Sequence, residues 1–169
     1  HQLGIDEIKI KAAVEAFRGV RRRFEYVVKK SGLIFVDDYA HHPQELKALI
    51  SGARALFPDK KCTVIFQPHL FSRTRDLSAE FAESLDEADE VILLPVYPAR
   101  ELPMEGVTSK LIIDQMKSHS ARLMEKEELL AFLEEKLING KEQKLWITAG
   151  AGDIDTLVEP IKQLIERHG

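Results

Sequence analysis

The sequence predicts an α/β fold with three layers: a mostly parallel sheet of about six strands, one of them an antiparallel edge strand, with helices on both faces. Short β-branched and apolar runs alternate with longer amphipathic segments, as in parallel sheets covered by helices. The first two runs are separated by residues 29–32 alone, a spacing too short for a crossover and suited to a hairpin. Polar and charged residues follow four of the runs, as expected where parallel strands end at a ligand site.

The first half of the chain predicts a hairpin, a helix, a strand and a second helix. Strands over 24–28 and 33–37 flank a turn that ends in Ser-Gly. The dipeptide His42-Pro43 is typical of a helix start, because proline is favoured in the first turn, and predicts a helix over 43–56. An apolar run predicts a buried strand over 62–66, and apolar residues at helical spacing predict a helix over 74–87.

The second half continues the alternation. Strands are predicted over 91–94, 122–124 and 145–148, and helices over 108–117, 127–138 and 154–167. Gly150 and Gly152 lie between the last strand and the last helix. They allow either a tight turn or the close approach of a ligand to the backbone.

The start of the chain predicts a domain boundary. Residues 5–17 have apolar positions at helical spacing and no initiating methionine, and Gly19 ends the pattern. We therefore expect a piece of a longer protein, in which residues 1–22 are the tail of a preceding domain with its linker. Residues 23–169 are expected to form one domain.

Composition restricts the function classes. The chain has 169 residues, 44% of them hydrophobic and 31% charged, as in a soluble globular domain. A net charge of -4 argues against a nucleic-acid partner, and the apolar run 91–96 is far shorter than the roughly 20 residues of a membrane span. We expect a cytoplasmic protein. The single cysteine, Cys62, lies in an apolar run and predicts a buried thiol.

One local cluster departs from this acidic average. It consists of four arginines near the start of the chain: Arg18, Arg21, Arg22 and Arg23. The cluster could hold a polyanion, or it could be the solvated end of a helix.

The loop after the second strand is rich in potential ligands. Asp37, Asp38, His41 and His42 could hold a divalent cation, contact a nucleotide or substrate, or cap the following helix. An aspartate just past a strand end is well placed to accept ribose hydroxyls, which favours Asp38 for that contact.

The loop after the third strand points to an anion. His69, Arg73 and Arg75 follow the buried strand closely, and guanidinium groups suit carboxylates and phosphates, so a small anionic substrate is expected. The alternative is a salt-bridge cluster with Asp76 or Glu80. The sequence contains no glycine-rich phosphate loop ending in Lys-Ser or Lys-Thr, no dinucleotide fingerprint and no nucleophile elbow.

These segments together resemble a known family. The residues at 17–25, Asp-Asp-Tyr-Ala-His-His-Pro at 37–43, the segment 66–76 and the segment 150–154 occur in an order and spacing that resemble the C-terminal domain of the Mur ligases of peptidoglycan synthesis. The resemblance covers nearly the whole chain and is strongest to the alanine-adding branch. A branch that recycles murein tripeptide shares the pattern at 37–43 but resembles 66–76 less well.

The resemblance implies a Rossmann-like third domain of a bacterial, cytoplasmic, ATP-dependent amide ligase. In the family, a muramate carboxylate takes the γ-phosphate of ATP to form an acyl phosphate, with Mg²⁺ screening the charge. The expected substrates are UDP-N-acetylmuramate and L-alanine. In the family, most metal ligands belong to the central ATPase domain, so no metal ligand is assigned here. Residues 1–22 would be the tail of that central domain. Domain closure would exclude water, and the fragment alone is expected to be inactive.

Individual roles follow from motif positions in the family. Arg23 resembles the arginine near the ATP phosphates, Asp38 the ribose contact, and Tyr39 a residue that faces the nucleotide. The resemblance assigns catalysis to His41, His69 and Arg73, and places His69, Arg73 and Arg75 against the amino acid or the muramoyl group. Leu70 departs from the pattern, since some relatives carry arginine there, which leaves Arg73 more isolated.

Readings from other classes remain open. A metal-dependent phosphoesterase would use the following ligands: Asp37, Asp38, His41, His42 and His69. A non-catalytic α/β interaction domain would bind no nucleotide, even when it is joined to its neighbours.

Overall fold

The sheet has the strand order β1-β2-β6-β3-β4-β5 in the computed structural model, which describes residues 4, 6–16, 19–117, 120–140 and 142–168. The strands are β1 (Glu25–Lys29), β2 (Leu33–Asp38), β3 (Lys61–Phe66), β4 (Glu90–Leu93), β5 (Ala121–Leu123) and β6 (Lys144–Ala149). Strand β1 runs antiparallel to β2, and the other neighbours are parallel. The predicted mostly parallel sheet with one antiparallel edge strand is confirmed.

Helices cover both faces of the sheet. They are α1 (Glu7–Ala16), α2 (Pro43–Leu56), α3 (Phe71–Asp76), α4 (Ser78–Leu85), α5 (Lys110–Ile113), α6 (Lys126–Asn139), a 3-10 helix (Asp153–Leu157) and α7 (Val158–His168). Residues of α2, α4 and α5 pack on one face of the sheet, where Phe81 contacts Phe66. Residues of α6, the 3-10 helix and α7 pack on the other face, around Trp146.

The buried thiol is confirmed. Cys62 has no exposed surface and packs in the cluster beneath α2 and α4. Burial raises the pKa of its thiol to about 12, so the group stays protonated and apolar.

Three predicted helices differ from the structure. The helix over 74–87 is two helices that meet at Leu77, whose backbone is not helical (φ -119°, ψ 18°). The helix over 108–117 is reduced to the single turn of α5, because the amides of Gln115 and Met116 bond carbonyls three residues back instead of four. The last helix begins as a 3-10 turn.

Helix α1 has no buried residue, and Ile8 and Val14 are 76% and 69% exposed. Among the described residues, no helix has the length and apolar character needed to cross a membrane.

Candidate functional site

The chain connections diverge at the carboxyl ends of three adjacent strands. Strand β6 lies between β2 and β3. The helices that follow β2 and β3 pack on one face of the sheet, whereas the elements that follow β6 pack on the other. Such a divergence opens a crevice beyond the strand ends, where α/β sheets bind ligands. The loops that the sequence marks as chemically rich lie at this edge.

Five side chains form a continuous row along the crevice, which we call the aromatic row: Arg22, Tyr39, His41, His69 and Tyr97. The Arg22 guanidinium lies 5.0 Å from the centre of the Tyr39 ring. The ring centres of Tyr39 and His41 are 5.2 Å apart, those of His41 and His69 are 6.1 Å apart, and those of His69 and Tyr97 are 5.6 Å apart. The row joins the loops after β2, β3 and β4.

Glu45 and a main-chain carbonyl hold His41. Nδ1 of His41 lies 2.9 Å from the Tyr39 carbonyl oxygen, which can only accept, so Nδ1 carries the proton and donates. The Glu45 carboxylate lies 3.3 Å from Nδ1 and accepts the amides of His41 and His42 at 3.0 and 3.2 Å. Burial raises the pKa of Glu45, but these amides and the His41 charge outweigh it and leave the pKa lowered. Because Nδ1 is the donor, Nε2 is the ring nitrogen that faces away from this pair of partners.

His69 and Arg73 carry unpaired buried atoms. Nδ1 of His69 and Nη1 of Arg73 are buried, and neither has a hydrogen-bond partner among the described residues. Burial, together with the charges of Arg73 and His41, lowers the pKa of His69, so the imidazole is neutral near pH 7. Buried polar atoms are nearly always paired, so this pair marks a place where a polar ligand fits.

Leu70 connects His69 to α3 through a strained backbone. Its φ of 73° lies in the left-handed region, which a leucine rarely adopts. The Leu70 amide donates to the Tyr97 carbonyl at 2.9 Å, and its own carbonyl accepts from Thr74. These bonds keep the strained conformation in place between the two site residues.

Glu101 caps α3 from across the crevice. Leu70 at the helix start offers no side-chain cap. Instead, the Glu101 carboxylate accepts the Ser72 hydroxyl and also the Ser72 amide at 2.9 Å. Hydrogen bonds from the Ser72 side chain and amide lower the pKa of Glu101, so it stays ionised. The β4–α5 loop thereby fixes the helix that carries Arg73.

Two predicted nucleotide contacts have other surroundings. Arg23 is exposed, whereas its neighbour Arg22 reaches the crevice and donates to the Gly150 carbonyl at 2.6 Å. Arg22 also lies 3.3 Å from the Asp37 carboxylate. Each oxygen of the buried Asp38 accepts a backbone amide, from Phe24 at 2.6 Å and from Ala40 at 2.7 Å. Asp38 therefore ties the start of β1 to the end of β2, and its ribose contact stays a prediction.

The remaining predicted residues differ in placement. Tyr39 is partly exposed at the crevice. Arg75 is exposed and pairs with Asp76 at 2.7 Å, one of the salt bridges that the sequence left open. Arg18 lies outside the described residues. Sequence reasoning named Arg22 only as one member of the arginine cluster, and it missed Tyr97 and Glu101 as site residues.

The described residues do not favour a metal centre. None of them form a group of three or more histidine, cysteine, aspartate or glutamate side chains that could hold a metal ion. Asp37 is engaged by Arg22 and by the Thr148 hydroxyl at 2.7 Å, and His42 is exposed. Burial raises the pKa of Asp37, and this effect outweighs the lowering by Thr148 and Arg22.

A family model described as Mur ligase, glutamate ligase domain, matches residues 22–152. The UDP-N-acetylmuramate–L-alanine ligase of Cytophaga hutchinsonii is 50% identical over 168 residues, which are 99% of this chain and 35% of that protein. The chain thus spans about a third of the length of that relative.

Solved structures agree in fold. The crystal structure of UDP-N-acetylmuramate-alanine ligase from Thermotoga maritima matches with a TM-score of 0.73 and 34% identity, over 98% of this chain and 34% of that one. A murein peptide ligase from Psychrobacter arcticus matches with a TM-score of 0.67 over 97% of this chain and 34% of that one, at 18% identity. The second likeness, at that identity, is one of fold alone.

Proposed function

The chain belongs to the Mur ligase family, and we propose that it is the C-terminal domain of an ATP-dependent ligase that joins L-alanine to UDP-N-acetylmuramate in bacterial peptidoglycan synthesis. The observation that carries the proposal is the pairing of the segments 37–43 and 66–76, whose His41 and His69 rings lie 6.1 Å apart at the carboxyl edge of the sheet. The relatives named above, which span almost the whole chain at 50% and 34% identity, are ligases of that substrate pair by name.

The proposed domain division places residues 1–22 with the preceding central ATPase domain and its linker, and residues 23–169 in the C-terminal domain. Two observations support it. Helix α1 buries no residue against the sheet domain. The family model begins its match at residue 22.

Arg73 and His69 fit an incoming amino acid. A guanidinium group binds a carboxylate through paired N–H donors, and Nη1 of Arg73 is a buried donor without a partner among the described residues. We assign the L-alanine carboxylate to Arg73. Amide formation joins the alanine nitrogen to the muramoyl carbonyl carbon and breaks the bond from that carbon to phosphate, and the nitrogen loses a proton. Neutral His69 is in the form that accepts one.

The nucleotide is assigned to the opposite end of the aromatic row. The proposed contacts are Arg23 and Arg22 toward the phosphates, Asp38 toward the ribose, and Tyr39 and His41 toward the nucleotide and the reacting centre. The Arg22 guanidinium, which also pairs with Asp37, lies over the Tyr39 ring at that end of the crevice. Mg²⁺ is assigned to ligands in the rest of the parent protein, since the described residues offer no group that could hold a metal ion.

Closure of this domain over the central one is proposed to keep water from the acyl phosphate, which water would otherwise hydrolyse. In the described part of the chain, the crevice edge supplies groups for the nucleotide and the amino acid but no group that could hold a metal ion. The proposed reaction therefore needs the full-length parent protein, acting in the cytoplasm.

The test is phosphate release by the full-length parent with UDP-N-acetylmuramate, ATP and Mg²⁺. We expect release that depends on L-alanine. Release with murein tripeptide alone would assign the chain to the recycling branch instead. Release with neither would overturn the ligase, and tight Mn²⁺ or Zn²⁺ binding that His41→Ala abolishes would then favour the phosphoesterase.

A further inference from the structure

We propose that Tyr97 is a positioning residue, whose ring is clamped between Gly152 and His69 and fixes the orientation of the His69 imidazole in the amino-acid site. The inference rests on the proposed function, because it concerns how the same site holds its substrate. Tyr97 itself is not assigned a contact with the reacting atoms.

Ring and backbone both join Tyr97 to His69. The two rings stack with their planes 24° apart and their centres 5.6 Å apart. The residues also form a parallel bridge beyond the ends of β3 and β4. In it, the Leu70 amide donates to the Tyr97 carbonyl at 2.9 Å, and the Tyr97 amide donates to the Pro68 carbonyl at 2.8 Å. These backbone bonds therefore fix the position of the Tyr97 main chain relative to His69.

Gly152 lies against Tyr97. A Cβ atom at position 152 would lie 2.6 Å from Cγ and 2.7 Å from Cβ of Tyr97, and 2.5 Å from Oε1 of Gln67. These distances are far shorter than real contacts, and neither Tyr97 atom is the end of a flexible chain. Only glycine allows the ring to lie where it does, because of this contact rather than an unusual backbone angle.

Gln67 keeps the Gly152 side rigid. Its amide nitrogen donates to the Asp153 carboxylate at 2.8 Å, and its amide oxygen accepts the Ile154 amide at 2.9 Å. Asp153 in turn pairs with Lys126 at 2.5 Å. A displaced Tyr97 ring would therefore move toward His69, because the other direction is filled by a bonded network.

The charged groups that face His69 come from three elements. Arg73 of α3 and His41 of the β2–α2 loop disfavour the imidazolium, whereas Glu101 of the β4–α5 loop favours it. Burial is the largest influence and lowers the pKa of His69. Since the Tyr97 ring covers one face of the imidazole, its removal admits water and moves the pKa of His69 back toward 6.5.

The test compares Tyr97→Leu, Gly152→Ala and Tyr97→Phe in the full-length parent protein. One readout is the NMR titration of His69 without substrates, and the other is KM for L-alanine with the pH profile of kcat/KM. In Tyr97→Leu and Gly152→Ala we expect kcat/KM for L-alanine to fall about tenfold or more, because a displacement of about 1 Å can reduce a rate by two orders of magnitude. In Tyr97→Leu we also expect the acidic limb of the kcat/KM profile to move to higher pH, because the pKa of His69 rises toward 6.5.

Tyr97→Phe keeps the stacked ring. We expect it to leave the His69 titration unchanged and kcat/KM for L-alanine within about threefold of the parent value. An unchanged His69 titration and an unchanged kcat/KM for L-alanine in Tyr97→Leu and Gly152→Ala would overturn the inference. If one of these two variants does not fold, the other decides the matter. Absence of L-alanine-dependent phosphate release in the parent itself would instead overturn the proposed function, and the substrate-free titration would still test the clamp.

Discussion

Replacing Arg22 with alanine is expected to destabilise the 169-residue chain by about 3 kcal/mol. The side chain of Arg22 is 19% exposed and that of its partner Asp37 only 3%. The same guanidinium donates to the Gly150 carbonyl at 2.6 Å and lies over the Tyr39 ring. Its removal leaves a buried carboxylate whose remaining side-chain partner among the described residues is the Thr148 hydroxyl.

The magnitude follows from these contacts. Breaking a buried ion pair destabilises by roughly 3 to 5 kcal/mol, and a hydrogen bond from a charged group contributes roughly 1.5 to 3 kcal/mol. The two losses overlap, and partial exposure of Arg22 places the sum near the lower limit. The pairing with Asp155 at 3.5 Å adds little, because the Asp155 side chain is half exposed.

The loss of stability in Arg22→Ala should also depend on pH. Burial raises the pKa of Asp37, so the folded state binds this proton more tightly than the unfolded state and loses stability as pH rises through that pKa. Without Arg22 the pKa rises further. The destabilisation should therefore be larger at pH 8 than at pH 5, and the added change Asp37→Asn should restore part of it.

The assay is urea unfolding followed by the fluorescence of Trp146, the single tryptophan, which is 1% exposed. Arg21→Ala is the matched control, because Arg21 is exposed, and it should change the free energy of unfolding by at most about 0.5 kcal/mol. A loss below about 1 kcal/mol for Arg22→Ala, or equal losses for both variants, would refute the reasoning.

Three further outcomes are expected. Burial raises the pKa of Cys62 to about 12, so a thiol reagent at pH 8 should modify this residue only as fast as the chain unfolds. Rapid modification without urea would contradict this expectation. The pKa of Glu45 is lowered, so the stability that this carboxylate contributes is present above about pH 4.5 and is lost as pH falls. Glu45→Gln should therefore flatten the decline of the melting temperature between pH 5 and pH 3. An unchanged decline would contradict this role of Glu45. The chain by itself should release no phosphate in response to L-alanine, whereas the full-length parent should; turnover by the chain would contradict the proposed division of the site between domains.

Local pattern was enough to predict the strands. Each of the six ends within one residue of its prediction, and in β2, β3, β4 and β6 the reason is a continuous run of mostly apolar residues. The helix over 43–56 was equally readable, since Pro43 and the turn before it are local signals. The start of α3 was not, because its cap comes from Glu101, 29 residues beyond Ser72.

The site residues also divide into those that local sequence predicts and those that depend on the tertiary structure. Loops rich in histidine and arginine pointed to His41, His69 and Arg73, and the structure places all three along the crevice. The choice between Arg22 and Arg23 could not be made from a run of three arginines, because it depends on how a left-handed turn at residue 22 (φ 55°) directs each side chain. Tyr97 is brought to His69 only by the pairing of β3 with β4.

The most direct test of the central claim is KM for L-alanine in full-length parent variants Arg73→Lys and Arg75→Lys. Lysine keeps the charge but cannot offer a guanidinium fork, so Arg73→Lys should raise KM by roughly tenfold to a hundredfold. Arg75 is exposed and paired with Asp76, so Arg75→Lys should change it by at most about threefold. An unchanged KM in Arg73→Lys, with phosphate release still dependent on L-alanine, would contradict the assignment of the amino acid to this crevice.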